Sequence, residues 1–169
     1  MAVDIPELDL PGKHGLLRTT WFSLVMTDPG LFSVIILLAA SHYASLQDDP
    51  GHLRINLLSL RCEAVSSIKR SLEVQRPGST NDALIGAIAK MASYEAMFGS
   101  LENYDIHMQG LSRAISLRGG LASLGLNGLL QRIVVWIDRN AAFLHGSAIY
   151  FPTGAQMSGP NPGQFLGRS

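Results

Sequence analysis

The chain has 169 residues, of which 47% are hydrophobic and only 15% charged, with 13 basic and 13 acidic side chains. That length suits one domain with a sizeable core, and the low charge leaves apolar surface for a partner or a ligand. The balanced charge excludes a free-standing DNA-binding domain, which needs surplus Lys and Arg to displace counterions from phosphates, and the single cysteine, Cys62, excludes an internal disulfide or a multi-cysteine zinc site.

Residues 1–12 read as an extended arm, because Pro6 and Pro11 discourage helix and Gly12 adds freedom. No basic segment precedes an apolar run, so no signal peptide is expected. A first helix is predicted from His14 to Met26. Asp28 then caps a second, from Pro29 to Leu46, with Pro29 at its first position. This second helix is apolar nearly all round and uncharged, which reads as a helix at the centre of a bundle. Its uninterrupted apolar run, Val34 to Ala40, is shorter than the about 20 residues a membrane span needs.

Asp48-Asp49-Pro50-Gly51 is a turn signal. A third helix, from about Gly51 to Val74, carries an inward stripe of Leu53, Leu57, Leu60, Ala64, Ile68 and Leu72, with Arg54, Arg61, Lys69 and Arg70 off it. Arg76-Pro77-Gly78-Ser79 stops that helix. Ser79 or Asn81 caps a fourth, reaching Phe98. The fifth follows Gly99-Ser100 and ends at Gly119-Gly120. Asn127 is read as the cap of a sixth, whose core stripe is Leu130, Ile133, Ile137, Ala141 and Leu144. No stretch alternates with period two for long enough to be a strand. The expected fold is all-α, about six helices packed as antiparallel pairs over residues 13–145, followed by an irregular Gly/Pro-rich tail over 146–169 that buries little.

The stretch from Asp105 to Asp138 is the most specific. It holds His107-Met-Gln-Gly110-Leu111, then Leu117-Arg118-Gly119-Gly120-Leu121, then Leu124-Gly125-Leu126-Asn127-Gly128, and Trp136-Ile-Asp138 in the following helix. This string resembles the regulatory region of fungal transcription factors that carry a zinc binuclear cluster at their N-terminus. The resemblance covers Tyr94 to Leu144. It implies an all-helical effector region in the nucleus that restrains or licenses activation through a protein partner or a small apolar ligand. The departures matter as well. Six zinc-holding cysteines usually open such proteins, and here there is one. The regulatory region of the family also usually runs further past the Trp-x-Asp helix, so the chain is expected to be a fragment or a truncated relative. DNA binding is not carried over, because no residue occupies the zinc-ligand positions.

Several polar side chains remain on apolar helices. Arg118 reads first as a favourable charge near a helix C-terminus that contacts free carbonyls; the alternative is an anchor that ties its turn to Asp138 or another carboxylate, and Trp136 and Asp138 on the sixth helix could clamp that turn as scaffold. His42, Tyr43, Tyr104 and His107 are candidate pocket residues. If the fold converges them, a small helical enzyme acting on an apolar metabolite is the rival function. Their bland reading is satisfied core or boundary side chains. No His-x-x-x-His or Glu-x-x-His pair exists, so no metal and no cofactor are expected. Arg61, Lys69 and Arg70 form a small basic edge, which a solvated face explains. No direct nucleic-acid or membrane contact is expected, and a large exposed apolar face would drive the chain into a homodimer.

Overall fold

The computed structural model describes residues 5–75 and 80–152. The predicted stop at 76–79, Ser79 as a cap, and the tail from 153 lie outside the described residues. Within them the architecture is all-α with no strand; the single bridge joins Leu10 and Lys13. The helices are α1 (Phe22–Thr27), α2 (Pro29–Ser45), α3 (Arg54–Val74), α4 (Asp82–Phe98), α5 (Leu101–Arg118) and α6 (Leu129–His145).

Three of the six helix starts follow short-range chemistry. The Asp28 carboxylate accepts from the Leu31 amide at 2.8 Å, and Pro29 opens α2. Asn81 caps α4 through the Leu84 amide at 2.8 Å, and Ser100 caps α5 through the Asn103 amide at 3.2 Å. Each side-chain oxygen satisfies one of the amides that a helix start leaves without an acceptor. The sixth helix departs from expectation. Asn127 does not cap it; it sits left-handed at φ 53° in the turn Leu126–Gly128, and Gly128 (φ 80°) occupies the cap position with no side-chain bond. The first helix is also broken: Leu17–Trp21 is wound as a wide π-type turn before α1.

The centre of the bundle is α4, not α2. From Ala83 to Ala89 every residue of α4 is buried, and Met91, Ala92, Tyr94 and Glu95 follow. Its neighbours are α5, α2, α6 and α3. Small side chains at Ala83, Gly86, Ala87, Ala89 and Ala92 permit this crowding. Trp21 lies directly over Gly86, where a Cβ would collide with the indole. The second helix buries Leu31, Val34, Leu37, Ser41 and Ala44 on one side, while Phe32, Ile36 and Tyr43 are exposed on the other. An uncharged helix can line a core on one side and stay open on the other; hydropathy alone does not separate the two cases.

Both ends of the described chain return to α6. The arm read as extended winds one 3-10 turn at Pro6–Leu8, and Leu8 is buried. Its carbonyl accepts from Arg132 Nε at 3.1 Å. After α6 the chain is irregular, yet Phe151 is buried in the core. Of the expected α6 stripe, Leu130, Ile133, Ile137 and Ala141 are buried, while Leu144 is exposed beside the helix end.

Among the described residues no single helix is long and apolar enough to cross a membrane. Leu17–Thr27 and Pro29–Ser45 qualify only as a pair, bent by 119°.

Candidate functional site

The motif around Arg118 forms a clasp between distant segments. Gly119 ends α5 at φ 112°, a left-handed conformation that costs glycine little. The amide of Gly120 then returns to the Ile115 carbonyl at 2.9 Å. That stop places Arg118 in the last turn, pointing at the start of α4. Its Nη2 lies 2.5 Å from Asp82 Oδ1, and its Nη1 donates to the Thr80 carbonyl at 3.0 Å. Asp82 Oδ1 also accepts the Gly125 amide at 3.2 Å. The carboxylate partner of Arg118 is therefore Asp82, not Asp138. Asp82 sits in the first turn of α4, where the helix dipole favours a negative charge. An open cleft of about 640 Å³ adjoins the clasp, between Leu24, Thr27 and Asp28 on one side and Thr80–Ala83 with Arg118 on the other.

Trp136 and Asp138 do not clamp that turn. Asp138 is 0% exposed and holds the segment after α6. Its Oδ2 accepts the Phe151 amide at 2.7 Å, and its Oδ1 accepts the Tyr150 amide at 3.1 Å and the Tyr104 hydroxyl at 3.4 Å. The Tyr150 hydroxyl donates to Asp105 at 2.9 Å. Burial, reinforced by the Asp138 charge, pushes the Tyr104 phenol far above its ordinary range, so it stays protonated and donates. Tyr150 and Phe151 were missed as anchors. Their only sequence signal is a Tyr-Phe pair in an otherwise Gly- and Pro-rich segment. Trp136 is half-buried on a different part of α6, beside Leu8.

The four candidate pocket residues are not brought together. His42 and Tyr43 are exposed on α2, Tyr104 is committed to Asp138, and His107 is half-buried on α5. Among the described residues no side-chain hydrogen bond joins any two of them. Burial lowers the His107 imidazole below its ordinary range, with nearby Glu95 opposing that shift and Arg61 adding to it. Glu95 is itself buried and engaged: Arg61 donates to it at 2.6 and 3.1 Å, and the Ser100 amide at 3.2 Å. Nor is the basic edge a phosphate platform, since Arg61 is spent on Glu95 and Arg70 pairs with Glu63 at 3.0 Å. Among the described residues no cluster of three metal-ligating side chains occurs. Cys62 is free and exposed.

The feature that sequence reading missed is the outer face of α3. Only Ala64 and Ile68 of this helix are buried. Leu72, read as part of the inward stripe, is 50% exposed, and Ile55 (81%), Leu58 (62%) and Val65 (39%) are exposed with it. Ile55, Leu58, Cys62, Val65, Lys69 and Leu72 follow steps of three and four along the whole helix. That is the spacing of a seam built to meet another helix. The signal was present in the sequence, but a stripe at helical spacing does not say which of two stripes faces the core.

A family model described as the fungal specific transcription factor domain matches residues 11–165. No curated protein and no solved structure matches the chain.

Proposed function

The chain belongs to the fungal specific transcription factor domain family, and from that premise we propose that it is a regulatory module which docks an acidic amphipathic helix of a protein partner on the outer face of α3. The observation that carries this reading is the exposed seam from Ile55 to Leu72. An apolar stripe some three turns long or more, left open, favours a helix that buries it. Charge selects the occupant. Lys69 stands exposed on the seam itself and Arg54 flanks its start; with Arg61 spent on Glu95 and Arg70 on Glu63, these two cations stand against Glu73 alone on α3. Pairing α3 with a second copy would set this basic excess against itself, whereas an acidic helix complements it. The reading is non-enzymatic and puts the module at work in the nucleus, shifting a conformational balance by occupancy of an apolar face.

A tethered reporter tests it. The module is placed between a heterologous DNA-binding domain and an acidic activating segment in fungal cells. The unsubstituted module is expected to change reporter output about threefold or more, a shift of at least about 0.6 kcal/mol. The L58E/V65E variant, altered only at exposed positions, is expected to abolish that change while keeping its helical spectrum and melting temperature. Equal output from both proteins at equal abundance would defeat the proposal.

A further inference from the structure

The outward row of α2 differs in kind from that of α3. Pro29, Phe32, Ile36, Ala39 and Tyr43 recur at alternating steps of three and four, and Leu46 at the C-cap extends the series. All six are exposed, Tyr43 by 59% and Phe32 by 41%. A spacing that averages about 3.5 residues keeps one edge of a helix turned toward a neighbouring helix over its whole length. The opposite edge, with Leu31, Val34, Leu37, Ser41 and Ala44, already serves the bundle. The outer row is therefore a second seam, and a single copy leaves it open.

The residues beside this seam are Ser33, Ile35, Ala40 and His42, and no Asp, Glu, Lys or Arg occurs from Pro29 to Gln47. Between paired helices, ionised side chains at the flanks set the choice of partner. Without them the face offers a charged helix no counter-charge, and it does not repel an identical face. A helix that lies on a membrane surface carries Lys or Arg, which α2 lacks. Area points the same way. The row leaves on the order of 600 Å² open per copy, so two copies hide roughly 1,200 Å², the lower end for a specific pair.

We infer that two copies of this chain pair through α2, with Phe32, Ile36, Ala39 and Tyr43 of each forming the contact. An interface of that size, apolar and without charge pairs, gives a weak dimer with a dissociation constant on the order of 10 μM. No residue of the α3 row takes part, so the inference stands apart from the docking of an acidic helix and is tested separately from it.

Sedimentation velocity of the full chain reads the association, in reducing buffer so that the exposed Cys62 cannot link copies. Over roughly 1 to 200 μM the average mass should climb from the 18.2 kDa of one chain toward twice that. Ala39→Glu and, separately, Tyr43→Lys place a charge on the seam at exposed positions. Each should raise the dissociation constant about tenfold or more, with the helical spectrum and the melting temperature of the dilute protein unchanged. Should one of them fail to fold, the other decides. The L58E/V65E variant should pair as the parent does. A parent that stays a monomer throughout, folded α2 variants that pair undiminished, or loss of pairing in L58E/V65E would each overturn the inference. So would a monomer that floats with neutral phospholipid vesicles, since the row would then be a membrane contact.

Discussion

At Gly125 the chain passes so close to Asp82 that any Cβ would collide with the carboxylate. Gly125→Ala must therefore push Asp82 out of the clasp, breaking both the Gly125 amide bond and the Arg118 pair. The expected loss is about 1–3 kcal/mol, read as a lower urea midpoint with unchanged m-value. An alanine protein as stable as the parent would mean that the clasp does not form. A second single-residue effect concerns Lys90, half-buried with its ammonium 5.7 Å from the centroid of the Trp21 ring. Burial lowers its pKa from 10.5 to about 8. Below pH 8 both folded and unfolded chains carry the proton, and the cost of burying the charge stands in full. Between 8 and 10.5 the folded chain sheds its proton first, so stability rises with pH over that window. Lys90→Met should remove this rise. At pH 7 it should also stabilise the fold, by an amount on the order of 1–3 kcal/mol less whatever the indole contact contributes. Denaturant titrations at neutral and alkaline pH separate the two claims.

For elements, the third helix offers the sharper case, because its two stripes compete for the core. Ile68 is buried and Ile55 is open. Ile68→Ala should cost about 2–4 kcal/mol and Ile55→Ala less than about 0.5, a contrast measurable in one melting series. Equal losses would mean that Ile55 also faces protein. The same helix marks where sequence reading reaches its limit. Caps at Asp28 and Asn81 and the stop at Gly119 were legible, since each depends on neighbours within a few residues. The family string around Arg118 was legible as well, but only part of it meets at one turn: Arg118 and Gly125 converge on Asp82, while Asp138 holds the segment after α6. The identity of the Arg118 partner was not, because Asp82 lies on another helix far back in the chain, and Asp138 was an equally good charge match. The centrality of α4 was hidden for a related reason. Its alanines and Gly86 look unremarkable in composition, yet small side chains are what let four helices approach it, whereas the bulkier α2 keeps one face outside. Asn127 was misread because Asn serves both as a cap and in left-handed turns, and Gly128 next to it took the cap position.

Across the whole molecule, α6 is the element on which both ends of the described chain are fastened. Arg132 holds the Leu8 carbonyl, and Asp138 holds the amides of Tyr150 and Phe151. The second attachment is the stronger, since a fully buried carboxylate accepts two amides and the Tyr104 hydroxyl while Phe151 fills the core beside it. Asp138→Ala would leave those three donors buried without an acceptor. The segment would then have to lift away so that water could satisfy them, exposing the Phe151 site. The expected loss is about 2–4 kcal/mol in global stability. Hydrogen exchange gives the more discriminating reading, because lifting a terminal segment is a local event that need not unfold the bundle. In the unsubstituted protein the Phe151 amide should exchange about as slowly as the core amides of α6. In Asp138→Ala it should exchange at the rate of an open chain while the amides of α4 stay protected. Fast exchange at Phe151 in the unsubstituted protein would show that the carboxylate does not hold this segment, and that the bundle closes on α6 without it.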